Sequence, residues 1–147
     1  MNEIKKTVEI YASPEVVFRA ISDPNELTNW FPDAAILEPK IGGTFKFSFY
    51  KDSNRRRQKC DSDASPEGKV IEFIPNKKLA YSWKHKSVPN FPDTVVTWEL
   101  EPIGKNRTRL TLTHSGFTGK ETEQGIDEHI MGWSYFLNEL VSYCKKK

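Results

Sequence analysis

The sequence predicts an α+β fold in which a curved antiparallel β-sheet wraps around one long C-terminal α-helix, with two short helices after the first strand. Three observations predict it. Ile126, Ile130, Trp133, Leu137, Leu140 and Cys144 recur at steps of three and four, the spacing of one helical face. That stripe, widened by Phe136 and Val141, is too broad for the helix to hide alone, so it needs a large apolar partner. Upstream of it, apolar residues alternate with polar ones in short runs joined by turn-length connections. Such runs in sequence build an antiparallel sheet.

The first strand covers Glu3 to Ala12, with Ile4, Val8, Ile10 and Ala12 on one face and only Lys6 breaking that side. Ser13-Pro14-Glu15 then starts a short helix: Ser13 caps, Pro14 suits the first helical position and Glu15 suits the dipole. Val17, Phe18 and Ile21 form its inner face. Asp23-Pro24-Asn25-Glu26 repeats the start signal as a capping box; the second helix carries Leu27 and Trp30 and stops before Pro32. A strand is predicted from Ala34 to Pro39, followed by a turn at Ile41-Gly42-Gly43-Thr44 that needs positive φ. Phe45, Phe47 and Phe49 then alternate with polar residues and place three rings on one face of a strand.

Lys51 to Pro66 is polar and aperiodic, holds Arg55, Arg56 and Arg57, and reads as an exposed connection of low order. A strand resumes through Lys69–Phe73, and Pro75-Asn76-Lys77 turns the chain. Leu79, Tyr81, Trp83 and His85 share one face of the next strand, and Ser87 to Asp93 forms another loop. Val96, Trp98 and Leu100 alternate in the strand after it. Gly104-Lys105-Asn106 is a turn, and Leu110, Leu112 and His114 face one side of the last strand. Ser115 to Gly119 leads into the long helix, whose acidic start and Lys145-Lys146-Lys147 end both suit the helix dipole.

At 147 residues the chain is expected to be one domain with a core that needs no staples. A net charge of +2 points to no nucleic-acid partner, and no apolar run reaches the length of a membrane span. The N-terminus lacks a signal-peptide core, so a cytoplasmic location is expected. Cys60 and Cys144 fit no CxxC pattern, and the three histidines have no ligand spacing, so neither a disulfide framework, a metal nor a cofactor is predicted.

Aromatics reach 12% of the chain, rich for its size, and they carry the functional expectation. Phe45, Phe47, Phe49, Tyr81, Trp83, Trp98, Phe117, Trp133 and Phe136 can all face the concave side of the sheet, with Trp30 closing the second helix. Flat rings with few aliphatics suit a slot for a flat or greasy ligand. His85 and His114 lie on strands whose apolar partners point inward, where imidazole can hydrogen-bond a ligand or act as acid or base. His129 receives no role. Glu72 and Glu99 are not spaced as a catalytic pair, and GxSxG, GxGxxG and P-loop motifs are absent, so no catalytic residue is assigned.

The chain resembles, over essentially its whole length, the proteins related to the activator of the heat-shock-protein-90 ATPase, within the START and birch-pollen-allergen-like superfamily. Ala12-Ser13-Pro14 with the following helix to Ile21, Trp30, Gly42-Gly43 with Phe45, and Gly68 with Val70 carry the resemblance. So do Leu79 to Trp83, Thr108 to His114, and Gly132-Trp133 with Leu137. It implies the helix-grip fold with an elongated apolar cavity between sheet and C-terminal helix, and brings no shared catalytic motif. The expected function is binding of a hydrophobic, aromatic or lipid-like small molecule by the rings named above, oriented by His85, His114, Tyr81 or an indole N–H. The alternatives are a chaperone-associated interaction domain and a cyclase or dehydratase using a pocket histidine.

Overall fold

The computed structural model describes residues 3–50, 64–85, 92–117 and 122–146, with the backbone alone for 122–128. Its elements are β1 (Glu3–Ile10), α1 (Pro14–Ser22), α2 (Pro24–Leu27), β2 (Ala34–Leu37), β3 (Thr44–Ser48), β4 (Glu67–Ile74), β5 (Lys78–Trp83), β6 (Thr94–Gly104), β7 (Arg107–Ser115) and α3 (Thr122–Lys145). The seven strands form one sheet in the order β1-β7-β6-β5-β4-β3-β2, every neighbouring pair antiparallel. Strands β2 to β7 lie side by side in chain order, as short connections require. The first strand joins at the far side, beside the last one. Helices α1 and α2 therefore carry the chain from one edge of the sheet to the other. The curved sheet grips α3, which is the helix-grip arrangement.

Local chemistry sets the boundaries. The Ser13 hydroxyl accepts from Val16 N–H at 3.3 Å, and the Asp23 carboxylate accepts from Asn25 N–H at 2.9 Å. Glu26, placed for the return bond of a capping box, instead accepts from the Tyr143 hydroxyl and so ties α2 to α3. The turns fall where expected, with positive φ at Gly42 (83°), Asn76 (66°) and Asn106 (55°), residue types that tolerate it. Gly68 has a different reason to lack a side chain: a Cβ there would stand 2.1 Å from Ser82 Oγ and 2.2 Å from Ser82 O.

The expected inner faces are buried: Ile4 and Ile10; Val17, Phe18 and Ile21; Leu79, Tyr81 and Trp83; Val96 and Trp98; Leu110, Leu112 and His114; Trp133, Leu137, Leu140 and Cys144. Four expectations need correction or limits. Strand β2 ends at Leu37, not at Pro39, because Lys40 and Gly43 N–H groups already close a tight turn onto Glu38 and Lys40 carbonyls. Phe49 lies beyond β3 and makes an isolated bridge to Ala64, so the far end of the Lys51–Pro66 segment is paired to the sheet. The rest of that segment, with Arg55 to Arg57, and residues 86–91 of the later loop lie outside the described residues.

The fourth concerns the helical stripe. Ile130 is 37% exposed. At about 100° per residue, Ile130 and His129 sit on opposite flanks of the line through Trp133, Leu137 and Leu140. His129 takes the flank that meets the sheet, so Ile130 turns outward. The side chain of Ile126 lies outside the described residues. In β4, alternation turns Ile71 out beside the buried Val70, and the β-bulge between Val70 and Glu72 resets the period so that Phe73 packs against the core and Ile74 is exposed.

Candidate functional site

Alternation along β3, β5, β6 and β7 aims aromatic side chains at α3 from four strands. Phe45 stacks on Tyr81 at 4.2 Å between centroids, and Trp83 lies 5.7 Å from Phe45 and 5.5 Å from Trp133. Trp98 meets Trp133 edge-on at 5.6 Å and donates its indole N–H to the Tyr81 hydroxyl at 2.9 Å. Phe31, to which sequence reasoning gave no role, is the hub of the other half. It lies 4.9 Å from Trp30, 5.1 Å from Phe47, 5.5 Å from Phe49, 5.4 Å from Trp133 and 4.7 Å from Phe136. The expected aromatic residues are thus brought together, Phe117 included through His114 at 4.6 Å. At these positions ring stands against ring, where the resemblance implied an elongated cavity.

One end of this aromatic core is polar. His114, fully buried near the end of β7, has both ring nitrogens engaged. Its Nδ1 accepts from the Trp133 indole N–H at 3.0 Å, so the neutral ring carries its proton on Nε2. That Nε2–H donates to Thr94 Oγ1 at 2.8 Å, and the Thr94 hydroxyl donates onward to the Trp83 carbonyl at 2.6 Å. While those bonds hold, His114 has no nitrogen for a ligand and acts as a spacer between sheet and helix. Beside it, His85 follows β5 and His129 reaches in from α3, with their Nε2 atoms 3.3 Å apart. The Trp83 indole N–H donates to the same His85 nitrogen at 3.3 Å. His129 also stands 5.1 Å from His114 and 5.6 Å from Phe117.

Burial explains the electrostatics. Desolvation, reinforced by the neighbouring His129, lowers His85 from 6.5 to about 4. His114 is held well below 6.5 by burial, then by repulsion from His129 and His85. The Tyr81 phenol is pushed up by burial, only partly offset by its bond from Trp98. At neutral pH His85, His114 and the Tyr81 phenol are therefore uncharged. Among the described residues, every buried side-chain nitrogen or oxygen has a partner, and no group of three or more His, Cys, Asp or Glu side chains gathers as a metal site.

Sequence reasoning missed Phe31, Thr94 and His129. Phe31 had no periodicity to announce it, Thr94 opens a strand as a polar residue, and His129 fell between the apolar stripe and the polar side. A separate concavity of about 250 Å³ lies beside the C-terminal half of α3, lined by Asn29, Trp30, Phe31 and Asp33 and by Tyr135, Glu139 and Tyr143. Of the expected site residues, Trp30 lines it; it does not close α2, which ends at Leu27, but stands in the turn after it, with its indole N–H directed to Ala20 O at 2.8 Å.

This arrangement of sheet, helix and aromatic core can be set beside known proteins. The family model for "Activator of Hsp90 ATPase homolog 1-like protein" matches residues 11–145. The chain belongs to this family. Among solved structures the chain is similar to an HSP90 activator from Plasmodium falciparum, 26% identical, with 95% of this chain and 94% of that one aligned at a TM-score of 0.72. The Aha1 dimer from Colwellia psychrerythraea is also 26% identical, covering 96% of this chain and 94% of the other at a TM-score of 0.71. Protein MLL2253 from Mesorhizobium loti aligns over 98% of both chains, 25% identical, at a TM-score of 0.78. No curated protein matches the sequence. The fold and family thus fit a helix-grip ligand-binding or Hsp90-activator-like domain. No described helix is long and apolar enough to cross a membrane.

Proposed function

We propose that the protein binds an apolar, aromatic small molecule at the histidine-bearing end of the aromatic core, between β5, β7 and α3. One observation carries this reading. A core built only for stability fills with aliphatic side chains, yet this end holds three imidazoles, two of them with depressed pKa values, among Trp83, Trp133 and Phe117. Burying such groups costs free energy that apolar residues would not. Costs of this kind concentrate at binding sites. The ligand lies between rings that separate to admit it, and the neutral His85 imidazole offers it a hydrogen-bonding group beside His129. His114 and Thr94 hold the wall in place.

The flat neutral probe N-phenyl-1-naphthylamine tests this. Covering roughly 300 Å² of apolar surface at about 25 cal/mol per Å² supplies about 7.5 kcal/mol before ordering costs, so micromolar binding, about −8 kcal/mol, also needs ring stacking and a hydrogen bond to supply the rest. Probe fluorescence should rise on binding, and Phe117→Leu or His129→Ala should weaken it more than tenfold in protein that stays folded. Unchanged binding in both variants removes the proposal.

A second reading is favoured by the comparisons: a chaperone-binding domain that acts on an Hsp90-type ATPase. Two of the solved relatives are named for that activity or its activator. Stimulation of a purified Hsp90 ATPase by this chain supports it, and an unchanged rate with no complex on size-exclusion chromatography counts against it.

A further inference from the structure

We propose that His85 and His129 together bind a first-row transition-metal dication of the imidazole-preferring class, Zn²⁺, Ni²⁺ or Cu²⁺. The two Nε2 atoms stand 3.3 Å apart. An N–H···N hydrogen bond is usually shorter, near 2.9–3.0 Å by about the same criterion as N–H···O. A tetrahedral ion at about 2.0–2.1 Å from each nitrogen sets its two ligands about 3.3–3.4 Å apart. The pair therefore has the bite of a metal site more than the length of a good hydrogen bond. Both rings are only partly buried, so water can fill the remaining coordination positions.

The scaffold holds the bite open. His85 follows directly on β5, whose Trp83 is packed against Trp133 of α3 at 5.5 Å, and His129 lies one turn before Trp133 on that helix. Strand and helix are thus fixed to each other next to the pair. Imidazole favours Zn²⁺, Ni²⁺ and Cu²⁺ over Mg²⁺ or Ca²⁺. Binding needs both Nε2 lone pairs: His129 carries its proton on Nδ1, and the 3.3 Å bond from the Trp83 indole N–H to His85 is released. No proton is lost overall if both rings start neutral. His114 does not join, because Trp133 and Thr94 occupy its nitrogens. The pair is separated by 44 residues, so ligand spacing in the sequence could not announce it.

The test uses untagged full-length protein near neutral pH. Cu²⁺ is titrated against tryptophan fluorescence, because Trp83 lies 5.8 Å from His85 and 6.1 Å from His129 and would be quenched by an ion between them. Zn²⁺ is titrated by calorimetry and by thermal shift. The expected result is about one ion per chain, with affinity at least tenfold weaker in His85→Ala and in His129→Ala, and loss of the Zn²⁺-induced rise in Tm. His85→Asn and His129→Gln give the same readout should an alanine variant fail to fold. Absence of binding in the parent protein, or binding retained in the His85→Ala/His129→Ala double variant, overturns the proposal. Neither outcome depends on whether an organic ligand binds.

Discussion

Trp133→Ala is the most informative single perturbation of the fold. The ring is 3% exposed and touches Phe31, Trp83, Trp98 and His114. Truncating a buried Trp to Ala costs about 3–5 kcal/mol. The substitution also strips His114 Nδ1 of its donor, and an orphaned buried polar atom costs about 1–3 kcal/mol. Trp133→Phe weights the two effects differently, since it keeps a six-membered apolar ring but loses the N–H along with the volume of the five-membered ring; it should cost at least about 1–3 kcal/mol. Urea unfolding at constant m-value measures both. In heat, at about 2–4 °C per kcal/mol for this size, the alanine variant should lose about 6–20 °C and the phenylalanine variant clearly less. An alanine variant within 1 kcal/mol of the parent would refute packing of α3 on the sheet through this ring. A silent Trp133→Phe would refute the assignment of His114 as a satisfied spacer.

Three further outcomes follow from named contacts. Stability should fall as pH drops from about 6.5 towards about 4, because the native state holds His85 and His114 neutral while the unfolded chain takes up their protons; the slope is at most about 1.4 kcal/mol per pH unit per group, and His85→Asn should flatten it in a urea series. Gly68→Ala should destabilise by about 1–3 kcal/mol or more, since its Cβ would press on the Ser82 backbone oxygen and not merely on a movable side chain; an unchanged urea midpoint would contradict that register. Thr94→Val should cost about 1–3 kcal/mol, chiefly for the orphaned His114 Nε2–H, since the Trp83 carbonyl still faces Thr94 across the β5–β6 ladder; the same unfolding assay measures it.

The sheet was legible because side-chain alternation is a two-residue period that burial on one face enforces. Phe45/Phe47, Tyr81/Trp83 and Leu110/Leu112/His114 are inward for that reason. The aromatic core was legible for the same reason, once its members lay on strands. Phe31 was not, because it stands in the short turn after α2 where no period applies. The inward role of His129 was hidden by a competing apolar residue. Ile130 fits the same helical stripe, and only the position of the sheet decides which flank is covered. Pairing of His85 with His129 is tertiary, set by where β5 ends relative to α3. Nor could the sequence say that His114 spends both nitrogens on Trp133 and Thr94, which lie 19 and 20 residues away.

The most direct measurement of the proposed binding site uses the four indole N–H groups as reporters, observed by ¹⁵N NMR during titration with N-phenyl-1-naphthylamine. Each has a different partner: Trp83 donates to His85, Trp133 to His114, Trp98 to Tyr81 and Trp30 to Ala20 O. Binding at the histidine-bearing end should move the Trp83 and Trp133 signals most, with Trp98 less affected and Trp30 nearly still. Shifts confined to Trp30 would place the ligand in the concavity beside the C-terminal half of α3, and four unmoved signals at saturating probe would contradict binding in the core altogether.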